Sequence, residues 1–381
     1  MPRKGENIYK RKDGRWEGRY IKGRSETGKA VYGYVYAHSY RDVKSKLSLS
    51  SKAPSQIQVI SANSQISIQT KTFGDLADLW MKSIQPQVKE STFIKYQNSL
   101  KNYILPVLGD KQLGDISFSC LEEFVSTLLT SGGNESKGLS SKTVTDTLSI
   151  IRVIIQHADK HGFVVACSGR GISVKQESKE LIVLTATEQK QLQQYLYNNL
   201  SDRNLGILVC LFTGIRIGEI CALKWDDISF TEKHIKIQRT MQRIQCDEDE
   251  RKTKIIITTP KSKCSLRTIP LPDIVIERIE KDFQNREGYV LTGQKDIFVE
   301  PRTMQNHFKR VLEECKIRNV NYHVLRHTFA TRCIELGFDI KSLSEILGHA
   351  SVNITMNRYV HPSMELKREN MNKLNNLFTV K

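Results

Sequence analysis

Apolar positions recur at i, i+3 and i+4 through most of the chain. The spacing predicts helices in FGDLADLWMKSI, STFIKYQNSLKNYILPVLG, SCLEEFVSTLLTSG and SSKTVTDTLSIIRVIIQHADKHG, all between residues 72 and 165. Ser91 and Ser141 are the expected N-caps, with Gly109, Gly132 and Gly162 as stops. Further helices are expected at 187–198, 203–213 and 217–224, and again after Pro272, in DIVIERIEKDFQN, RTMQNHFKRVLEEC, HVLRHTFATRCIELG, DIKSLSEILGH and SVNITMNRYVH. Between these groups HIKIQRT, KIIITT and LRTIPL have strand character, which predicts one small antiparallel sheet.

The first 50 residues differ. IYKRK and RWEGRYIKG flank Asp13-Gly14, a hairpin turn pair because both residues tolerate positive φ. A second turn at Glu26–Lys29 leads to AVYGYVYA, where tyrosines alternate, and Ser39 is placed to cap the helix YRDVKSKL. The stretch 48–69 is rich in Ser, Gln and Asn and holds one charge, Lys52, as a linker does. The expected organisation is therefore a small N-terminal sheet plus helix (1–50), a linker (51–71), an all-α bundle (72–167) and a mainly α domain with a small antiparallel sheet (181–381). No repeat of solenoid length is evident.

Charge narrows the function. The 381 residues hold 58 Lys and Arg against 41 Asp and Glu, a formal charge of +17, which points to a polyanionic partner and first to nucleic acid. Residues 1–50 carry 13 of the cations against 5 acids. At 39% hydrophobic the chain has enough apolar residues for real cores. No apolar run approaches membrane-span length, and MPRKGENIYK lacks the apolar segment of a secretory signal. None of the eight cysteines forms a Cys-x-x-Cys pair, so reduced thiols in a cytoplasm are expected rather than disulfides or zinc.

Chemistry on a phosphodiester needs cations for the non-bridging oxygens, a proton donor for the leaving oxygen and a nucleophile. The C-terminal half holds a candidate for each, although every one has a bland reading beside it. Arg216, in TGIRIGE, is also placed to pair with Glu219 at i+3 as a solvated arginine does. His323 and Arg326 in HVLRH share a helix face with His327, which is also what an ordinary polar face looks like. His349 in LGHAS has the position of a helix C-cap, and Tyr359 in MNRYVH that of an amphipathic core residue with Thr355 one turn before it.

Taken together, TGIRIGEICALKW, HVLRHTFATRCIELG and LGHASVNITMNRYVH resemble the tyrosine recombinase family: Arg-x-Gly-Glu, His-x-x-Arg, Leu-Gly-His and a tyrosine, in the family's order. KESTFIKYQNSLKNYILPVLG and LSSKTVTDTLSIIRVIIQHADKHG resemble the core-binding helices of phage-type integrases, and the basic N-terminal sheet the arm-binding domain of integrases from lambda-like phages and conjugative transposons. FVVACSGRG stands where many relatives have Asn-Pro, which moves the second domain boundary by several residues.

The resemblance implies that Tyr359 attacks the scissile phosphate to give a 3′-phosphotyrosyl link. Arg216 and Arg326 would clamp the phosphoryl oxygens, His323 act as base or hydrogen-bond partner, His349 brace the phosphate and Glu219 hold Arg216. Lys261, on a hairpin turn in TTPKSKCSLRTIPL, would protonate the leaving 5′-oxygen, with Lys263 as the competing assignment. No metal or cofactor is expected.

Candidate DNA contacts are Lys10, Lys12, Arg15 and Arg19 on the N-terminal hairpin and Lys89, Lys95, Lys142 and Arg152 on the bundle. The implied partners are duplex DNA at core and arm sites, three further protomers in a tetramer, and an excisionase or host bending factor, without a membrane. The expected reaction is integration and excision of a mobile element, a conjugative transposon or a prophage with the arm domain's likeness favouring the transposon, and with the tail LKRENMNKLNNLFTVK docking on a neighbour. The competing readings are a type IB topoisomerase-like enzyme and a catalytically idle DNA-binding regulator.

Overall fold

The computed structural model describes residues 7–11, 14–24, 30–50, 72–133, 137–176, 180–246, 252–260, 263–283, 286–360 and 364–377. Asp13, the turn at 26–29, the linker 51–71, Lys12 and Lys261 lie outside the described residues. The chain divides into two compact units, Met1–Gln69 and Thr70–Lys381.

In the first unit β1 (Ile8–Lys10), β2 (Trp16–Arg24) and β3 (Ala30–Ala37) form an antiparallel sheet in that order, and α1 (Tyr40–Ser50) covers one face. Ser39 accepts from the Asp42 amide at 3.2 Å, as an N-cap does. Ile8 and Val43 are buried between sheet and helix. Gly18 makes that approach possible: a Cβ there would lie 2.6 Å from Val43 Cγ1 and 2.7 Å from Leu47 Cδ1. The opposite face carries Tyr32, Tyr34 and Tyr36, all exposed, with the Arg19 guanidinium 4.3 Å from the Tyr32 ring.

The second unit begins with α2 (Phe73–Ile84), α3 (Glu90–Ser99), α4 (Leu105–Leu108), α5 (Phe118–Ser131) and α6 (Ser141–Lys160). Thr72 and Asp75 form a reciprocal capping box on α2. A π-helical segment, Leu100–Ile104, joins α3 to α4; the Leu105 amide bonds to Leu100, and Pro106, which has no N–H to give, follows at once. The caps differ by one or two residues from the sequence expectation. Lys89 occupies the N-cap position of α3, leaving Ser91 inside the first turn, and Ser140 rather than Ser141 caps α6, through the Thr143 amide. The bundle has its own apolar core, centred on Phe73, Leu76, Ile104, Leu121, Phe124, Leu148 and Ile151.

A second core is built from α7 (Ala186–Asn198), α8 (Asp202–Thr213), α9 (Ile217–Cys221), the strands that follow, and then α10 (Asp273–Asp282), α11 (Pro301–Glu314) and α12 (Val324–Glu335). The remaining helices are α13 (Ile340–Leu347), α14 (Val352–Tyr359) and α15 (Met364–Asn372). Helix α8 is buried along nearly its whole length and packs on α12, so the segments entering and leaving it are held firmly.

Where one sheet is expected, the described residues hold two. Strands β4 (Ile228–Ser229), β5 (His234–Ile237) and β8 (Arg267–Pro270) form one, and β6 (Thr240–Gln245) pairs with β7 (Thr253–Thr258) in a separate hairpin. The break falls at Gln238-Arg239. Both side chains bind the buried carboxylate of Asp227, at 3.2 and 2.5 Å, which turns the chain away from the first sheet. Among the described residues no helix is long and apolar enough to cross a membrane.

Candidate active site

Arg216, Arg326, His323, His349 and Tyr359 arrive from four helix ends. Helix α8 stops at Gly214, whose φ of +63° is one that L side chains rarely adopt. A Cβ at that position would also lie 2.5 Å from Phe329 Cδ1 and 2.9 Å from Leu347 Cδ2. This tight stop delivers Arg216 to the N-cap of α9. Its amide and its Nη1 both donate to the Glu219 carboxylate, at 2.9 and 2.8 Å, and its Nη2 donates to the Gly348 carbonyl at 3.2 Å.

Glu219, 2% exposed, also receives Arg267 Nη1 and Nη2 at 3.1 and 2.8 Å. Burial works to raise the Glu219 pKa, but the hydrogen bond and charge of Arg267, then the charge of Arg216, outweigh it and hold the carboxyl below its usual range. Arg267 is tied further to the carbonyls of Ile346 and Ser265.

Arg326, in the first turn of α12, is 2% exposed. It donates to the carbonyls of Gly214 at 2.8 Å and Leu347 at 2.7 Å, so one guanidinium joins the ends of α8 and α13. Burial, and after it the nearby Arg216, pull its pKa down to about 9, which leaves it a cation at neutral pH. His323 is the N-cap residue of α12, and its ring reaches solvent. His349 follows Gly348, the left-handed residue that ends α13, and its Nδ1 lies 2.8 Å from Thr355 Oγ1. Its ring lies parallel to that of Tyr359, centroids 6.4 Å apart. Tyr359, the last residue of α14, is 6% exposed.

Three residues outside the expected set, His327, Arg358 and Arg267, belong to this cluster. His327 Nδ1 lies 2.8 Å from the Tyr359 hydroxyl and His327 Nε2 3.2 Å from Arg358 Nη2. Arg267 shares Glu219 with Arg216. Each has only a weak signal in the sequence: His327 sits four residues after His323, Arg358 directly precedes Tyr359, and Arg267 is a cation in the expected strand LRTIPL.

Four guanidinium groups, those of Arg216, Arg267, Arg326 and Arg358, all act on His349 and depress its pKa after burial does. The buried countercharge to them is Glu219. Such an excess is suited to an anion with several oxygens, and arginine's planar fork to a phosphoryl group in particular. Burial raises the pKa of Tyr359, and Arg326, Arg358 and Arg216 oppose that rise.

The histidines carry a testable sign. Burial and neighbouring cations bring His323 and His349 down to about 4 and His327 to about 3. The unfolded chain therefore takes up these protons first, so stability is complete above about pH 6.5 and falls as pH drops toward 4. A urea-unfolding midpoint clearly lower at pH 5 than at pH 7.5 is expected. Equal midpoints would contradict the lowered pKa of these rings.

The other expected contacts are placed as follows. Lys10 lies 5.9 Å from the Trp16 ring, and Arg15 immediately precedes β2. Lys95 and Lys142 share Asp146, at 3.1 and 2.5 Å. Lys89 donates to the carbonyls of Thr259 and Pro260, at 2.7 and 3.1 Å, beside an ion pair of Glu90 with Lys254. Arg152 donates to the carbonyls of Gly169 and Ile172, so its guanidinium is engaged within the protein.

The model of the phage integrase family matches residues 182–365, and that of the phage integrase N-terminal SAM-like domain matches 72–129; together they span more than half of the chain. A tyrosine recombinase XerC-like protein of Caldanaerobacter subterraneus is 27% identical over 385 residues, covering 93% of this chain and 94% of the relative. The transposase from transposon Tn916 of Enterococcus faecalis is 27% identical over 186 residues, 44% of each chain.

Among solved structures, the Tn1549 transposon integrase in complex with a circular intermediate DNA matches with a TM-score of 0.66 at 20% identity, over 80% of this chain and all of that one. A lambda integrase tetramer bound to a Holliday junction matches with a TM-score of 0.55 at 17% identity, over 96% of this chain and 99% of that one.

Proposed function

We propose, from the premise that this chain belongs to the phage integrase family and is a tyrosine recombinase of the kind found in conjugative transposons, that Tyr359 is the nucleophile with which it breaks and rejoins DNA. The observation that supports this reading is the Tyr359 hydroxyl, buried against His327 under the combined charge of Arg216, Arg326 and Arg358.

In the cleavage step a bond forms between Tyr359 Oη and the scissile phosphorus, and the bond from phosphorus to the 5′-oxygen breaks. The phenolic proton leaves, toward His323 or water, and a proton is delivered to the departing 5′-oxygen. Arg216 and Arg326 hold the non-bridging oxygens as charge builds on them, and His349 adds a further hydrogen bond. Lys261 is the donor to the 5′-oxygen by its match to the family pattern. Attack by a 5′-hydroxyl on the phosphotyrosine reverses the step, so the bond energy is retained and religation needs no nucleotide.

Excision and integration of a mobile element are the purpose of two such exchanges. We assign four protomers to the reaction, one tyrosine each, with the tail that includes α15 docked on a neighbour. The N-terminal sheet is assigned to arm sites, through Arg15, Arg19 and Lys10 among the described residues and Lys12 beside them. Lys95 and Lys142 are assigned to backbone phosphates, which would displace Asp146. Direction would be set by an excisionase or a host bending protein.

The test is a nicked suicide duplex carrying the element's own end. A DNA-linked band on a denaturing gel, mapped by mass spectrometry to Tyr359, is expected. Binding without any linked band would overturn the assignment and favour a DNA-binding scaffold.

A further inference from the structure

The resemblance gives His323 the place beside the nucleophile, but the hydroxyl of Tyr359 is held by another histidine. His327 Nδ1 lies 2.8 Å from Tyr359 Oη. The other ring nitrogen, Nε2, lies 3.2 Å from Arg358 Nη2. His327 is 6% exposed, and the His323 ring stands edge-on to it, centroids 4.5 Å apart. Its backbone is fixed by the preceding residue, Arg326, whose guanidinium is anchored on Gly214 and Leu347.

The tautomer follows from what each partner can do. A guanidinium has five N–H donors and no acceptor. Nε2 must therefore present its lone pair to Arg358. A neutral imidazole has one N–H, so that proton sits on Nδ1 and is donated to the Tyr359 oxygen. The ring is neutral at working pH, since burial and the adjoining His323, Arg358 and Arg326 hold its pKa near 3.

We infer that His327 is a positioning residue for the nucleophile: its Nδ1–H fixes Tyr359 Oη and stabilises the oxygen as its own proton leaves, while Arg358 sets the tautomer that makes His327 a donor. The inference rests on Tyr359 being the nucleophile. A hydrogen bond donated to an oxygen favours its charged form, so this contact works against the rise that burial imposes on the phenol. It also leaves the phenolic proton unclaimed by His327, free to pass to a separate base. His327 is thus neither base nor cation in the step, and the two histidines of HVLRH divide the work.

The experiment compares His327→Ala, His327→Asn and His327→Gln in single-turnover cleavage of the suicide duplex, from pH 6 to 9.5, with the full-length protein. An asparagine amide can occupy the place of Nδ1; a glutamine amide reaches the place of Nε2. His327→Ala and His327→Gln are expected to cleave about 10- to 100-fold more slowly than the parent, the scale of one positioned hydrogen bond to a developing charge. The rising limb of their pH–rate profile should move to higher pH. His327→Asn should stay within a few-fold of the parent, and gel-shift binding should be unchanged in all three.

Parental rate and profile in His327→Ala would overturn the inference. So would His327→Asn and His327→Gln being equally slow, which is the signature of packing alone. If the alanine variant fails to fold, judged by its urea midpoint, the asparagine and glutamine pair decides. Failure of the nucleophile assignment itself looks different: the parent would then form no adduct, or one mapped to another residue.

Discussion

Tyr359→Phe is expected to bind its duplex as the parent does and to form no covalent product, a loss of roughly 10⁴- to 10⁶-fold of the kind seen when a nucleophile is removed. The substitution deletes one oxygen from a ring that is 6% exposed and parallel to His349, so the packing of α14 on α12 and α13 is retained. Its structural cost is the loss of the acceptor for the buried His327 Nδ1–H and for Arg326, about 1–3 kcal/mol, visible as a drop in the urea midpoint. Chemistry and stability therefore separate in this variant.

The obvious buried rival to Tyr359 is Tyr322, and its surroundings argue against it. It is 5% exposed in the main core, its hydroxyl contacts Cys210 Sγ, and burial pushes its pKa well above the ordinary phenol value with no arginine acting on it. Parallel gel-shift and denaturing-gel assays on the nicked duplex make the measurement. A linked band in Tyr359→Phe at the parental rate would move the nucleophile elsewhere.

Helix α13 has clear 3.6-residue apolar spacing, α8 reads instead as an apolar run buried on nearly all sides, and Gly214 and Gly348 mark two stops by a positive φ that glycine adopts without strain. Arg216, His323, Arg326, His349 and Tyr359 stand out in the sequence only through their joint likeness to the family pattern, since each taken alone reads as an ordinary polar or core residue. What was not visible depends on partners distant in sequence. The sheet divides at Gln238-Arg239 because Asp227 is buried beneath it, and nothing in HIKIQRT announces that.

Arg152 and Lys89 look like any other cation of the bundle until the carbonyls they bind are known. His327 looks like a polar neighbour of His323, because its partner Tyr359 is 32 residues on. Periodicity reports which face is inside. It does not report which polar groups meet there.

Glu219 makes the strongest case for reading the site as a network. Its carboxylate takes four hydrogen bonds: the Arg216 amide, Arg216 Nη1 and both terminal nitrogens of Arg267. Arg267 is itself only 6% exposed, so Glu219→Ala leaves a buried guanidinium without its countercharge. Breaking one partner of such a pair costs about 3–5 kcal/mol, and a large fall in the urea midpoint is expected.

The same change frees Arg216. With only the Gly348 carbonyl still holding it at 3.2 Å, the guanidinium loses the orientation that a phosphoryl clamp requires, and cleavage should fall about 10²- to 10³-fold. Glu219→Gln keeps the volume and one acceptor oxygen but not the charge, and should lie between parent and alanine on both scales. Cleavage is measured below the unfolding transition so that the two losses are read separately. An alanine variant with parental midpoint and parental cleavage would show that Glu219 neither stabilises the fold nor orients Arg216. One with a lowered midpoint but parental cleavage would confine it to folding and show that Arg216 finds its place through the bound phosphate instead.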